Sequence, residues 1–456
     1  MDQNMGEGAM SGRTISWCSA IAATLVIVGI AAWVLISHGK PLKQTQVEEL
    51  AASEQLKSDK PTNASQSQAD KSPAIKKEQV EKLVLADTKF AFDLFSEIVK
   101  QKGSENIFVS PFSIAVALQM TYNGAADETA RAMAKALELE GASLDEVNQQ
   151  NFFLKTVLQN PDPKVELSIA NSLWAKNGVE FKPDFMKQNK DFYEAEISTL
   201  DFGDPRSVEI INKWVNDKTK GKIPTIVQPP IEPATILFLI NAVYFKGRWT
   251  VEFDKKETKE REFTLLDGKK KMWPMMYQRG NYRYFRGDGF QAVSLPYGEN
   301  KRLSVYIFLP DKLDGIKDFY KKLTAENWQG WMSRFGKSEG TIVLPRFKLK
   351  LEYEKELKKS LDALGMGVAF DPNRADFHNM ATIPNGFNIY IGRVKHKTFV
   401  EVNEEGTEAA AATSVEVMIT SAISTFAVVV DHPFFFAIVD NETKSILFMG
   451  SVVEPM

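Results

Sequence analysis

Gly336, Ser338 and Gly340 stand in the order G-x-S-x-G within GKSEG, the spacing at which hydrolases hold a nucleophilic serine on a sharp turn. Such an elbow needs a strand before it and a helix after it. Here a helix-like AENWQGWMSR precedes and a strand-like TIVLPRF follows, so Ser338 lacks the context of a nucleophile and GKSEG reads as a polar turn. The same stretch misses a phosphate-binding loop, because five residues instead of four separate Gly330 from Gly336-Lys337-Ser338. The four histidines, His38, His378, His396 and His432, include no H-E-x-x-H and no close pair, so a zinc hydrolase has nothing to build on. No metal and no cofactor is expected. The soft cluster KMWPMM, residues 271–276, reads as filler of irregular core space rather than a ligand site.

A chemistry of backbone rather than side chains is suggested by GTEAAAATSVEVMITSA, residues 406–422. Its first part is small and helix-favouring; its second alternates Val415, Val417 and Ile419 with Ser414 and Glu416, as a half-buried strand does. On a strand, Thr407, Ala409, Ala411, Thr413, Val415, Val417 and Ile419 all face one side, and Glu408, Ser414 and Glu416 the other. Gly406 in front permits the backbone to bend. A strand from Thr407 to Thr420 would span roughly 45 Å at about 3.3 Å per residue, the length of a domain.

The elements that must position this segment can be read from the rest of the chain. At 456 residues and 44% hydrophobic content, a sizeable core is affordable. A net charge of -3, with no basic stripe interleaved with aromatics, argues against nucleic acid as a partner. Cys18 is the single cysteine, which excludes an internal disulfide framework and cysteine-ligated clusters. VLADTKFAFDLFSEIVKQKG spaces Ala91, Leu94, Phe95 and Ile98 as a first helix that Gly103 closes, and Ser110 with Pro111 opens a second. Runs such as VELSIANSLWA, TILFLINAVYF, LSVYIFLP and SILFMGSVV read as strands. Helices crowd the first half and strands the second, which predicts an α+β fold rich in antiparallel sheet.

Residues 15–36, ISWCSAIAATLVIVGIAAWVLI, carry no charge and are long enough to cross a bilayer, so a transmembrane helix or signal anchor is expected behind a short tail, 1–14. Arg13 precedes it while Lys40 and Lys43 follow, so charge does not fix the orientation. The Lys-, Gln- and Ser-rich stretch 37–78 predicts a flexible linker, leaving 79–456 as the folded domain.

Four stretches in order, NIFVSPFSI (106–114), INAVYFKGRW (240–249), EVNEEGTEAAAAT (401–413) and VDHPFFFAIVDNETKSILFMGSV (430–452), resemble the serpin family of serine-protease inhibitors. The resemblance implies three β-sheets with eight to nine helices and an exposed reactive loop. It implies an inhibitor rather than an enzyme, a covalent acyl complex with a serine protease as partner, and a monomer. By the family's pattern Glu404, Glu405, Gly406, Thr407, Glu408, Ala409, Ala410, Ala411 and Ala412 match the loop hinge, which inserts into the main sheet after cleavage. Counting along the loop as the family does puts the reactive bond at Thr420-Ser421. Ser110, Ser113, Asn241 and His396 match a polar cluster where the sheet opens; Trp249 and Arg346 match the loop's entrance, with Arg346 paired to Glu404.

No lysine or arginine occurs from Thr398 to Thr443, which disfavours trypsin-like targets and points to elastase-like or chymotrypsin-like ones. Residues 143–160 match the place of a heparin-binding helix in some serpins but are nearly free of basic residues, so no heparin site is expected. The alternative reading is a non-inhibitory serpin acting as chaperone or binding protein, which proline or charge at Thr407, Ala409 or Ala411 would favour. None is present. The expected location is membrane-anchored with the domain on the extracellular side, or secreted if the N-terminal segment is cleaved.

Overall fold

Runs that are apolar without alternation have to be covered on both faces, and the strand Leu237–Arg248 shows how the chain does it. Leu237, Leu239, Val243 and Phe245 enter one core, whereas Phe238, Ile240 and Ala242 enter a second on the opposite face. In the computed structural model of the chain, residues 77–159, 161–233, 235–382, 388–407 and 425–456 are described. The apolar run 15–36, the linker up to residue 76, residues 408–412, Thr420 and Ser421 lie outside them. Among the described residues no helix is long and apolar enough to cross a membrane.

In chain order the elements are α1 (Lys77–Lys102), β1 (Ile107–Val109), α2 (Pro111–Tyr122), α3 (Asp127–Ala136), α4 (Leu144–Leu158), β2 (Val165–Lys176), β3 (Glu180–Phe181), α5 (Pro183–Tyr193), β4 (Glu196–Leu200) and α6 (Pro205–Lys218). Then follow β5 (Leu237–Arg248), β6 (Lys259–Thr264), β7 (Lys270–Gly287), β8 (Phe290–Pro296), β9 (Leu303–Pro310), α7 (Ile316–Tyr320), α8 (Ala325–Met332), β10 (Gly336–Pro345), β11 (Phe347–Tyr353) and α9 (Lys355–Leu361). The chain ends with β12 (Ala381–Thr382), β13 (Arg393–Val402), β14 (Gly406–Thr407), β15 (Phe426–Val429), β16 (Phe434–Asp440) and β17 (Ile446–Val452). The described residues thus hold nine α-helices and three sheets, within the range the resemblance implies.

The main sheet runs β11-β13-β14-β5-β2-β4, and β13 also pairs directly with β5. A nine-stranded sheet, β1-β17-β16-β9-β8-β7-β10-β15 with β6 on β7, packs through the larger core. β12 and β3 form the third. Helix α6 lies over the outer face of the main sheet, its Val208, Ile211 and Val215 meeting Trp174, Phe238 and Ile240. Helix α2 is buried along nearly its whole length, its Ser113, Gln119 and Thr121 included. Its start is built as expected: Ser110 Oγ accepts from Ser113 N at 3.3 Å and Pro111 occupies the first turn.

Two sequence expectations change. GKSEG is not a turn but the first half of β10, paired residue for residue with β7 from Gly336 opposite Tyr284 onward. Gly340 is small because the Phe426 ring lies where its side chain would be: a Cβ there would meet that ring at 2.3 Å. Ser338 Oγ sits 2.6 Å from Thr425 Oγ1 on the exposed side of this sheet. KMWPMM divides along the strand: the adjacent Met275 and Met276 are fully buried on opposite faces, while Met272 near the strand's start is exposed.

One buried pair between α1 and α2 carries a consequence for stability. Gln119 Nε2 donates to Asp87 Oδ1 at 3.0 Å, while Asp87 Oδ2 and Gln119 Oε1 have no partner. Burial pushes the Asp87 carboxyl up to about 7, favouring the protonated form, in which the buried oxygens carry no charge. A carboxyl raised on folding stabilises at low pH and loses that contribution as pH rises from the unfolded value through about 7. Asp87→Asn keeps an acceptor for Gln119 Nε2 and is neutral at every pH. It should raise stability at pH 8 by roughly 2–4 kcal/mol and by little at pH 4, measured by urea denaturation at both.

Candidate functional site

Gly406 cannot be exchanged for another residue in this backbone. Its φ is +152°, and a Cβ would lie 2.1 Å from the carbonyl oxygen of Gly247 on β5. The turn before it is closed by Asn403, whose side-chain oxygen accepts from the N–H groups of Glu405 at 3.0 Å and Gly406 at 3.2 Å. Having turned, the chain enters the main sheet: Thr407 stands opposite Gly247 of β5 and Val402 of β13, antiparallel to both. Thr407 is fully buried and shares a hydrogen bond of 2.7 Å with the Tyr297 hydroxyl. Tyr297 is itself stacked on Trp249 with ring centroids 4.5 Å apart.

The residues leading into this turn are held from two sides. Trp249 donates from its indole to Asn403 O at 2.9 Å and from its backbone to Glu405 O at 3.0 Å, and Phe253 N donates to Glu404 O at 2.9 Å. Arg346 donates to Glu404 Oε1 through Nε at 2.8 Å and Nη2 at 2.5 Å, and Lys255 donates to Glu405 Oε1. Both carboxylates are buried although both cations are largely exposed. Burial alone would raise the Glu404 carboxyl, but hydrogen bonds from Arg346 and Thr258 outweigh it and hold the group below the ordinary range. These pairs surround a cavity beside the hinge.

Farther along the same slot, β13 and β5 pair directly and in parallel, from Arg393 opposite Phe238 to Lys397 opposite Ala242. Beneath that joint lies a polar group in an apolar core. Ser113 Oγ donates to Asn241 Oδ1 at 2.7 Å, and Asn241 Nδ2 donates to Ser113 O at 3.1 Å and Asn171 Oδ1 at 2.7 Å. Ser110 N donates to His396 Nε2 at 3.0 Å, and Ser110 Oγ to Leu447 O at 2.6 Å. An Nε2 that accepts must be unprotonated, so the His396 proton is on Nδ1 and points to Asn241 Oδ1 at 2.8 Å. Burial lowers the imidazole to about 3, consistent with a neutral ring.

The structure therefore brings Ser110, Ser113, Asn241 and His396 into one hydrogen-bonded cluster, and Trp249 and Arg346 to Glu404, Glu405, Gly406 and Thr407. Ser338 belongs to neither group. Sequence reading missed Asn171, Lys255, Asn403 and Tyr297. Asn171 carried a signal, a lone amide inside the apolar VELSIANSLWA, whereas Lys255 is one of many surface lysines until folding places Glu405 beside it.

Comparison with known proteins was made against this geometry. The model of the family described as Serpin (serine protease inhibitor) matches residues 85–455. Serpin B6 of Macaca fascicularis is 36% identical over 381 residues, covering 82% of this chain and 99% of that protein. The leukocyte elastase inhibitor of Homo sapiens is 34% identical over 394 residues, covering 82% of this chain and 100% of that protein. Among solved structures, tengpin, a thermophilic serpin in its native state, aligns with a TM-score of 0.76 at 33% identity, over 82% of this chain and 94% of its own. Human thyroxine-binding globulin in complex with its hormone aligns with a TM-score of 0.75 at 27% identity, over 83% and 100%.

Asn241→Ala removes partners from Ser113, Asn171 and His396 together and should cost about 2–4 kcal/mol, read from the urea midpoint. Because the His396 imidazole is lowered on folding, its contribution is complete above the unfolded value and fades as pH falls from about 6.5 toward about 3. The stability difference between the parent chain and His396→Gln should therefore grow with pH across that window, by up to about 1.4 kcal/mol per unit, and stay flat above it.

Proposed function

This chain belongs to the serpin family, and we propose that it is a suicide inhibitor of serine endopeptidases whose loop, cut near Thr420-Ser421, inserts into the main sheet and traps the acyl-enzyme. The observation that carries the reading is Thr407 lying between β5 and β13, antiparallel to both. Serpin loop insertion is a known case of strand addition. What is particular to this chain is the register. Each step down the loop is one step back along each neighbour, so Ala409 would come opposite Phe245 and Val400, and Ala411 opposite Val243 and Thr398. Thr413 would then meet Asn241 and His396, which now pair with each other, so insertion parts the direct joint without a slip. From residue 412 onward, every added position displaces one β13–β5 pair. On the other face Glu408 would come between Lys246 and Glu401, and Glu416 between Phe238 and Arg393, so each acidic residue of the loop would have one basic neighbour.

In the covalent step the protease serine attacks the Thr420 carbonyl, the bond to Ser421 breaks with its nitrogen leaving as an amine, and Thr420 is left as an ester. Insertion drags that ester away before water reaches it. Absence of basic residues near the bond, together with a relative named leukocyte elastase inhibitor, favours an elastase-like target, with chymotrypsin-like enzymes next. A carrier role like that of thyroxine-binding globulin needs no insertion and is the competing reading. We also propose that residues 15–36 anchor the domain to a membrane, from their length and lack of charge, and that the domain lies on the extracellular side, where a bait loop meets foreign proteases.

Incubation of the chain with elastase should give a complex that survives SDS, and the cleaved inhibitor should melt well above the uncleaved one. Turnover without a complex, with no gain in melting temperature, would favour the carrier. Thr407→Arg, which forces a charge into the fully buried position, should convert inhibitor to substrate and raise the stoichiometry of inhibition several-fold. On intact cells, added protease should reach the domain; complete shielding would sink the surface location.

A further inference from the structure

Lysines from three stretches far apart in the chain meet on the outward face of the main sheet. The turn after α6 is shaped by two consecutive left-handed residues, Lys220 at φ +49° and Gly221 at φ +83°. It sets the Lys220 ammonium 5.7 Å from the centre of the Tyr244 ring on β5 and the Lys222 ammonium 5.4 Å from the centre of the Phe399 ring on β13. Lys348 reaches the same Phe399 ring from β11 at 5.3 Å, and Lys350 is the cross-strand partner of Phe399. Lys246 follows Tyr244 by two residues and so shares its face of β5. The carboxylates here do not balance these charges. Glu166, opposite Lys246, is held by Lys220 at 2.5 Å, and Glu401, opposite Lys348, lies 3.1 Å from that lysine. Among the described residues, Lys246 and Lys350 have no ion pair of their own. Lys397, next on this face of β13, is already taken by Glu352 at 2.8 Å.

Three observations narrow the partner. The chain as a whole carries a net charge of -3, so an anion is drawn to this face by local charge alone. Tyr244 and Phe399 are 4% and 6% exposed, leaving no open ring on which a nucleic-acid base could stack. The two lysine groups also stand on strands one to two spacings apart, about 5–10 Å, so a single small anion serves one group and only a chain of anionic groups serves both. We propose that a sulfated polysaccharide binds across this face, its sulfates on Lys222, Lys348 and Lys350 at one side and on Lys220 and Lys246 at the other. Position 410 of an inserted loop would lie between Tyr244 and Phe399, so the bound chain would tie together the two strands that insertion parts. That restraint rests on the inhibitory reading; the binding site does not.

Calorimetric titration of a heparin hexasaccharide into the full chain, without protease, should show binding that weakens about tenfold or more between roughly 50 and 200 mM salt. Lys246→Ser combined with Lys350→Ser should weaken it at least about tenfold, whereas Lys190→Ser, at an exposed lysine on α5, should change it less than about twofold. A thymidine oligonucleotide of the same charge should bind at least about tenfold more weakly than the hexasaccharide. No binding, binding unchanged by the double substitution, an equal loss with Lys190→Ser, or equal affinity for the oligonucleotide would overturn the site. With elastase, saturating hexasaccharide should raise the stoichiometry of inhibition several-fold, and the doubly substituted chain should lose that effect. An unchanged stoichiometry despite calorimetric binding, or a rise that persists in the doubly substituted chain, would overturn the restraint. Failure to form any complex even without the hexasaccharide would count against the inhibitory reading, and the titration would still decide the site.

Discussion

The direct pairing of β13 with β5 extends over only Arg393–Lys397 and Phe238–Ala242, and if the loop inserts as proposed that short joint has both to hold and to part. Parallel ladders are slightly weaker per residue than antiparallel ones. A strand that enters antiparallel to both neighbours exchanges one parallel ladder for two antiparallel ones. What keeps the joint closed cannot then be backbone hydrogen bonding alone. The Ser110, Ser113, Asn241 and His396 cluster supplies side-chain ties directly beneath it, in a core where each broken bond leaves a desolvated polar group. His396 ties β13 to β5 through Asn241 and to the start of α2 through Ser110, so three elements meet at one neutral ring.

The hinge is latched differently. Glu404 and Glu405 are buried while Arg346 and Lys255 are half in water. Deleting one cation would strand a buried carboxylate, yet moving both partners into water together costs far less, because each regains its hydration. Such a pair resists mutation strongly and motion weakly. Asn403, Trp249 and Phe253 fix the position of the turn by backbone contacts, and the ion pairs close over it.

Much of this was legible in the chain. Apolar runs marked β5, β9, β16 and β17, and Ser110-Pro111 marked the start of α2, because those signals are local and burial on both faces leaves no alternation to misread. The motif resemblance singled out Ser110, Ser113, Asn241 and His396, but only folding shows that Asn241 is the residue the others share. GKSEG was misread because its glycines and charges have the composition of a turn, whereas Gly340 is a glycine for room, to seat a phenylalanine far along the chain. Lys255 was silent for the same reason: its meaning is a long-range contact. Asp87 and His396 pull stability in opposite directions over nearly the same pH range, Asp87 losing and His396 gaining as pH rises, which no inspection of either motif would reveal.

The odd composition of residues 406–422 also has a physical cause if the loop inserts as proposed. Its first inward positions would lie between Phe245 and Val400, then Val243 and Thr398, walls whose volume is already filled. Interiors packed to near-crystalline density leave room there for alanine and little more. One step of two residues farther, the wall turns polar at Asn241 and His396, and the sequence changes from alanine to Thr413, whose hydroxyl can replace a hydrogen bond lost as the joint opens. Two residues on, Val415 would meet Leu239 and Val394, where a branched apolar side chain suits the strand pair. Small, polar, branched is thus the order in which the slot would receive the chain, and a surface helix would have no reason to keep that order.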